Sequence, residues 1–427
     1  MKKLLDQMIL YRRALKGSAI EKLGNYMENP GDLSVLSDVV YEILSYATEY
    51  GLEEDLYFGY LAGHLIMDEN PFSLQWERRA WEADVIASAD SVSIVKEDMK
   101  RFYELAHISF SDALGEGGEI LSRLRHYRSI PKKESNIQKN VGQRIREITD
   151  WLSNARNEDE FFQAVLSFYE KYGVGNLGLN RAFHLSEEGE MIPIVHTANV
   201  GLDHIVGYES QKKELRENTE AFVKGAQANN CLLYGDAGTG KSTCIKGILN
   251  DYYKDGLRLV EVYKHQFKNL PNLLKQVKNR NYRFVIYMDD LSFEDFEIEY
   301  KYLKAVIEGG MEVKPDNVVI YATSNRRNLI KENWNDRTDA TSGEVHPTDT
   351  MQEKQSLAAR FGIVIPFMRP SKKEYAQIVL SLAREYGLQQ EESELLKKAD
   401  LWSVRNGGYS GRTAEHFIID QLQREDG

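Results

Sequence analysis

Residues 231–243 read CLLYGDAGTGKST, and this stretch decides the fold of the second half of the chain. Its apolar start, CLLYG, has the character of a buried strand, and a helical pattern follows the lysine. Between them lies a glycine-rich turn that fits G-x-x-x-x-G-K-[ST]. Glycines let such a turn curl until successive backbone N–H groups point at one anion, and the helix N-terminus adds partial positive charge. The sequence therefore predicts a phosphate-binding loop.

The residues of this loop indicate which side chains bind a nucleotide and its metal ion. We expect Lys241 to reach the β- and γ-phosphates of ATP and the Ser242 hydroxyl to bind Mg²⁺. The alternative is a glycine-rich turn without a ligand, which the flanking strand and helix disfavour. The candidate cofactor-binding residues of the loop are Gly235, Asp236, Ala237, Gly238, Thr239, Gly240, Lys241, Ser242 and Thr243.

Apolar strands and helical segments alternate on either side of the loop. Such alternation is typical of a parallel sheet covered by helices on both faces. We therefore predict an α/β fold of the P-loop NTPase type, with helices again towards the end of the sequence, from about residue 371. The predicted strands are 231–235, 257–264, 282–288, 317–324 and 361–367.

Polar side chains follow two of these strands. Asp289 and Asp290 come directly after an apolar run, at the edge where the carboxyl ends of parallel strands meet. We expect Asp289 to hold Mg²⁺, mainly through water, and Asp290 to orient or deprotonate the attacking water. Asn325 ends the next strand and can bridge that water and the γ-phosphate. The alternatives are two acids that begin a solvated loop and an asparagine that begins a turn.

The first 195 residues are predicted to be mostly helical, because apolar residues recur three and four positions apart. A linker is predicted at 128–135, and the glycine-containing stretch 173–195 favours either a hairpin or a loop packed on the next domain. The aromatic residues of this region are interpreted as helix-bundle core, with a peptide-binding groove as the alternative. They are Tyr57, Phe58, Tyr60, Trp76 and Trp81.

Composition excludes several classes of protein. Of the 427 residues, 42% are hydrophobic and 28% are charged, which is typical of a folded soluble protein. No apolar run is long enough for a membrane span, and the N-terminus lacks the features of a secretory signal. Cys231 and Cys244 are too few for a disulfide framework, so we expect a cytoplasmic protein.

Charge is distributed unevenly along the chain. Residues 1–200 hold 22 Lys and Arg against 32 Asp and Glu, whereas residues 201–427 hold 32 against 34. Nucleic acid is a polyanion, so the acidic first half disfavours broad binding to its backbone. Nucleic acid stays a possible partner only through a local basic patch in the second half.

The order and spacing of these motifs resemble an AAA+ ATPase. More narrowly, the chain resembles over about residues 200–425 a bacterial family of ATP-binding proteins, domain of unknown function 815. The stretches that carry the resemblance are GLDHIVGYESQKKEL (201–215), LLYGDAGTGKST (232–243), MDDLSFE (288–294), IYATSNRRNLI (320–330), EVHP (344–347), LAARFG (357–362) and GYSGRTAEHF (408–417).

The resemblance implies roles for further residues. Ile205 and Val206, with Gly207, match the stretch that lines the adenine pocket, and Asn325 matches the first sensor. Arg360 matches an arginine finger that acts on the γ-phosphate of a neighbouring subunit, which implies a head-to-tail homo-oligomer. The alternative is that Arg360 pairs with a local acid. Arg412 matches the second sensor on the lid.

We predict a mostly helical N-terminal region (1–195), which is a candidate for binding an unknown protein partner, and the resemblance implies an AAA+ nucleotide-binding core (196–368) and a helical lid (369–427). Many AAA+ proteins have Asp-Glu where this chain has Asp289-Asp290, and the shorter side chain predicts slower hydrolysis. Three roles stay open at this point: a loader or remodeller acting at DNA, a remodeller of proteins, and a switch that signals by binding ATP.

Overall fold

The computed structural model describes residues 1–30, 32–78, 90–110, 114, 118–129, 139–195, 197, 200–293, 297–308, 314–326, 329 and 357–425. The chain divides into two compact units, Met1–Asn180 and Arg181–Gly427. Each unit contains its own apolar core. Most of the linker predicted at 128–135 and the stretch EVHP lie outside the described residues.

The first unit consists of helices around one apolar core, as the spacing of its apolar residues predicts. Tyr57, Phe58, Tyr60 and Trp76 are buried in that core, which confirms their interpretation as core residues, while Trp81 lies outside the described part of the chain. The helices are α1 Lys2–Asp6, α2 Ala19–Glu28, α3 Ser34–Tyr50, α4 Leu56–Met67, α5 Pro71–Arg78, α6 Asp90–Ala106, α7 Glu119–Arg123, α8 Lys139–Ser153, α9 Glu158–Tyr172 and α10 Gly175–Leu179.

A buried carboxylate fastens the N-terminal segment to helix α6. Asp98 is 0% exposed, and its oxygens accept hydrogen bonds of 2.7–3.1 Å from the backbone N–H groups of Ile9, Leu10 and Tyr11. Arg101, one turn along the helix, donates to the same carboxylate at 3.2 Å. Asp98 thereby satisfies three backbone donors of a segment that has no helix of its own.

The second unit is built on a mixed sheet that is seven strands wide in the described residues. Its order is β2-β1-β4-β5-β6-β3-β7; β1 and β2 form an antiparallel hairpin at one edge, and the remaining pairs are parallel. The stretch 173–195 therefore contains a hairpin, one of the two predicted possibilities. The strands are β1 Ala182–Leu185, β2 Met191–Pro193, β3 Cys231–Gly235, β4 Leu257–Glu261, β5 Arg283–Met288, β6 Val318–Ser324 and β7 Ile363–Phe367.

Helices connect the parallel strands and end the chain. The last three pack around a small apolar core of their own, which forms the predicted lid. None of the helices among the described residues is both long and apolar enough to cross a membrane. The helices are α11 Glu209–Val223, α12 Lys241–Tyr252, α13 Leu270–Val277, α14 Glu299–Glu308, α15 Lys372–Glu385, α16 Glu392–Arg405 and α17 Gly411–Glu425.

Strand order determines which segments meet at the functional edge of the sheet. β6 lies between β5 and β3, so the end of β6 is next to both the acids that follow β5 and the loop that follows β3. All three segments leave the sheet at the carboxyl ends of parallel strands, where ligands of open α/β sheets bind. The α/β fold of the P-loop type predicted from the sequence is thus present.

Replacing Asp98 by alanine is expected to destabilise the first unit by about 3 kcal/mol or more, because several buried backbone N–H groups lose their acceptor at once. Chemical denaturation of the full chain, followed by circular dichroism, measures this loss. The matched control is Asp90→Ala, which removes an exposed acid from the first turn of the same helix and is expected to cost under about 1 kcal/mol. Equal losses in the two variants would contradict the role given to Asp98.

Candidate functional site

The glycine-rich loop has the backbone conformation that only glycine adopts without strain. Gly235, Gly238 and Gly240 have φ angles of +139°, +77° and +91°. A Cβ atom on Gly235 would lie 2.0 Å from the carbonyl oxygen of Phe367, so the end of β7 passes directly against the loop. Glycine is therefore required here by both the conformation and the close approach of another strand.

The Lys241 ammonium lies inside the loop. Its Nζ donates to the carbonyl oxygens of Gly235 and Asp236 at 2.8 and 2.7 Å and to Asn325 Oδ1 at 3.1 Å, and the residue is only 7% exposed. Burial lowers the pKa of Lys241, while the carboxylates of Asp290, Asp236 and Asp289 act in the opposite direction. An ammonium has three donors, and all three are used. An incoming phosphate must therefore take the place of one of these acceptors.

Asp289 accepts two hydroxyl hydrogen bonds on one oxygen. Its Oδ1 is 2.8 Å from Ser242 Oγ and 2.5 Å from Thr323 Oγ1. Burial would raise the pKa of Asp289, but the bonds from Thr323 and Ser242 and the nearby Tyr287 hydroxyl outweigh it and lower the pKa. Conversely, burial and then the charge of Asp289 raise the pKa of Tyr287, so the phenol keeps its proton. The carboxylate and the Ser242 hydroxyl are hard oxygen donors of the kind that Mg²⁺ prefers, so the residues present fit this ion.

Asn325 connects the ammonium with the second acid. Its Oδ1 accepts from Lys241, and its Nδ2 donates to Asp290 Oδ1 at 2.8 Å. Asp290 has a positive φ of +49°, and its backbone N–H donates to Thr323 Oγ1 at 2.9 Å. Residues at such angles are strained and tend to occur at functional sites. The structure thus brings Lys241, Ser242, Asp289, Asp290 and Asn325 into one hydrogen-bonded cluster.

The stretch expected at the adenine lies between the sheet and the lid. Ile205 packs against the sheet core, and a Cβ on Gly240 would be 3.8 Å from its Cγ2, whereas Val206 packs against the core of the lid helices. Lys212 of helix α11 donates to the Ile205 carbonyl at 2.7 Å and holds this stretch in place. Gly207, which follows it, has a φ of +80°.

The predicted second sensor abuts the loop from the lid. The backbone N–H of Arg412 donates to the Gly238 carbonyl at 3.3 Å, and a Cβ on Gly238 would be 3.1 Å from Arg412 Cβ. The predicted arginine finger has a partner within its own chain: Arg360 forms an ion pair with Glu308 at the end of α14. This pairing is the alternative that the sequence left open, and a role of Arg360 in a neighbouring subunit stays a prediction.

A sequence family described as "Protein of unknown function (DUF815)" matches residues 179–425. The chain belongs to this family. Among solved structures, it is similar to the RuvB Holliday junction branch migration motor of Thermotoga maritima, with 16% identity, a TM-score of 0.32, and coverage of 52% of this chain and 71% of that one. A single-residue mutant of that RuvB gives 17% identity and a TM-score of 0.33 over 52% and 71% of the two chains. No curated protein matches in sequence.

This DUF815 chain has an α/β fold in which the glycine-rich loop, the acids and Asn325 lie at the ends of neighbouring strands, and a helical lid follows the sheet. Its two cysteines take no part in the cluster. Cys231 and Cys244 are free and buried, and burial raises the pKa of each thiol to about 12.

Among the residues that the structure describes, no group of three or more His, Cys, Asp and Glu side chains is placed to hold a metal ion.

Sequence reasoning missed two residues of the site. Thr323 joins the two acids, because its hydroxyl donates to Asp289 and accepts from the backbone of Asp290. Arg369, just after β7, donates its backbone N–H to Asp236 Oδ2 at 3.1 Å and forms an ion pair of 3.4 Å with the same carboxylate. Thr323 could have been recognised as a polar residue near the end of an otherwise apolar strand. No local pattern in the sequence distinguishes Arg369.

Replacing Thr323 by valine is expected to destabilise the second unit by about 1–3 kcal/mol, because the Asp290 N–H and the Asp289 carboxylate each lose a hydrogen bond. Chemical denaturation measures this loss. The control is Thr323→Ser, which keeps the hydroxyl and is expected to retain most of the stability. If serine costs as much as valine, the hydroxyl is not what matters at this position.

Proposed function

We propose that this protein binds ATP together with Mg²⁺ and hydrolyses it as an AAA+ ATPase, and that it uses the cycle to remodel or load a partner. The observation that carries the proposal is the hydrogen-bonded cluster at the carboxyl edge of the sheet. It combines an ammonium, a hydroxyl, two carboxylates and an amide within reach of a loop whose backbone suits a phosphate.

The loop and its lysine would hold the phosphates. Residues 235–243 offer backbone N–H groups at the start of helix α12, and Lys241 would exchange one of its loop carbonyl acceptors for a phosphate oxygen. Ser242 and Asp289 would hold Mg²⁺, which neutralises phosphate charge when bound. The Ser242 hydroxyl can keep its proton and its hydrogen bond to Asp289 Oδ1, because its oxygen still has lone pairs for the ion. Ile205 and Val206 would line the adenine pocket.

Hydrolysis would depend on Asp290 and Asn325. Asp290 would orient the attacking water and accept its proton, while Asn325, already bonded to both Asp290 and Lys241, would sense the γ-phosphate. Arg412 would report the nucleotide state to the lid, since its backbone already contacts the loop at Gly238. The expected output is movement of the lid against the sheet.

Arg360 would act on the nucleotide of a neighbouring copy in a head-to-tail homo-oligomer. Its ion pair with Glu308 does not conflict with this role, because Arg360 is 24% exposed and Glu308 40% exposed, so assembly can exchange the partner. We also propose that, within the predicted region 1–195, the first unit Met1–Asn180 binds a protein partner, whereas the β1–β2 hairpin belongs to the sheet; 196–368 would bind the nucleotide and 369–427 form the lid.

A second candidate is a nucleotide switch with little turnover. It is favoured by the contacts of Asp290, whose short side chain is already engaged by Asn325. A DNA-associated loader is a further alternative, against which the acidic charge of residues 1–200 counts. ATPase rates with and without DNA, together with the molecular mass in solution with and without ATP, separate these three roles.

Two variants test the proposed chemistry. Lys241→Ala is expected to weaken ATP binding about 10- to 100-fold, because a hydrogen bond to a charged group contributes about 1.5–3 kcal/mol. Asp290→Asn is expected to keep binding and slow hydrolysis about 10²- to 10⁴-fold. Calorimetry measures binding and phosphate release measures turnover, with Lys254→Ala, an exposed lysine just after the same helix, as the control. Unchanged ATP affinity in Lys241→Ala would contradict the proposal.

The trans role of Arg360 is tested by mixing subunits. Arg360→Ala is expected to bind ATP normally and to lose about 10³- to 10⁵-fold in hydrolysis. Adding Lys241→Ala subunits, which retain Arg360 but cannot bind ATP well, is expected to restore part of the activity. Arg384→Ala, an exposed lid variant, is the control and should hydrolyse at the normal rate. Failure of the mixture to recover would contradict a role of Arg360 in the neighbouring subunit.

A further inference from the structure

The hydroxyl of Tyr287 ends among the residues expected to hold the metal ion without bonding to any of them. Tyr287 is the penultimate residue of β5, and Asp289 follows the end of this strand two positions later. The residue is 1% exposed, and its buried hydroxyl makes no hydrogen bond with any described residue. A buried hydroxyl without a partner destabilises the fold, because it has lost its hydrogen bonds to water.

The neighbouring strand provides a direct comparison. Tyr321 of β6 is the register partner of Tyr287 and is equally buried. Its hydroxyl accepts from Asn218 Nδ2 at 3.1 Å and shares a hydrogen bond of 2.8 Å with Thr219 Oγ1. The fold therefore provides hydrogen-bond partners for the hydroxyl of Tyr321 but not for that of Tyr287. Phenylalanine would fill the Tyr287 position without burying an unpaired hydroxyl.

One carboxylate oxygen of Asp289 is available to accept a hydrogen bond from the Tyr287 hydroxyl. The hydroxyls of Ser242 and Thr323 both donate to Oδ1, and Oδ2 accepts no hydrogen bond from the described part of the chain. Tyr287 is paired with Tyr321, and Thr323, two positions further along β6, bonds to Asp289, so Tyr287 and Asp289 are neighbours at this end of the sheet.

We propose that Tyr287 is a positioning residue for the metal ion: its hydroxyl donates to Asp289 Oδ2 and accepts a hydrogen bond from a water bound to Mg²⁺. A hydroxyl can do both, and Mg²⁺ keeps several waters, which donate strongly because the ion draws charge from them. The inference rests on the proposed binding of ATP with Mg²⁺. The hydroxyl would then be unpaired only in the metal-free protein.

Full-length Tyr287→Phe and the matched Tyr321→Phe separate this role from core packing. The dissociation constant of a non-hydrolysable ATP analogue is measured in excess Mg²⁺ and in excess EDTA, and the melting temperature is measured in EDTA. Mg²⁺ is expected to lower the dissociation constant of the analogue by a factor that is about ten times smaller in Tyr287→Phe than in the unaltered chain. Its affinity in EDTA should be unchanged, and its melting temperature in EDTA should be equal or higher.

Tyr321→Phe is expected to show the opposite pattern, with a lower melting temperature and an unchanged effect of Mg²⁺. Normal Mg²⁺ tightening in Tyr287→Phe would overturn the inference and leave the proposed function intact. A lower melting temperature of that variant in EDTA would also overturn it, because the hydroxyl would then be paired within the core. Absence of any Mg²⁺ effect in the unaltered chain would overturn the proposed function, and the inference with it.

Discussion

The two hydrogen bonds that Asp289 accepts on one oxygen hold the site together. One comes from Ser242 on the helix after the loop and the other from Thr323 on β6, so a single carboxylate joins two elements of the fold. Thr323 also fixes the backbone of Asp290, and Asn325 extends the chain of bonds to Lys241. The charged groups are therefore held in place by hydrogen bonds within the fold.

Local patterns were sufficient to predict the architecture of the second unit. The apolar run before the glycine-rich turn and the strands after it are encoded within windows of five to ten residues, and each predicted strand is present to within about three residues. Contacts that depend on strand order could not be predicted. Thr323 reaches Asp289 because β6 lies beside β5, and no local signal encodes that neighbour relation. Asp98 binds residues almost ninety positions away, which is equally beyond local patterns.

The first unit has an apolar core of its own, and residues 1–200 carry a larger excess of acidic over basic residues than residues 201–427. Four of the aromatic side chains considered for a peptide-binding groove, Tyr57, Phe58, Tyr60 and Trp76, are buried in that core. Leu33 and Tyr41 are exposed, so a partner of this unit would meet apolar as well as charged side chains, and contacts with the charged ones are sensitive to ionic strength.

The contact between Gly235 and the end of β7 links two parts of the site mechanically. Phe367 closes β7 against the first glycine of the loop, and helix α15 begins only five residues later, with Arg369 and the stiff ring of Pro370 in between. This connection between β7 and α15 is short and contains a proline, so it can absorb little displacement of the strand. A shift of the loop by a fraction of an ångström would therefore displace the end of β7, and this displacement would tilt the start of helix α15 in the lid.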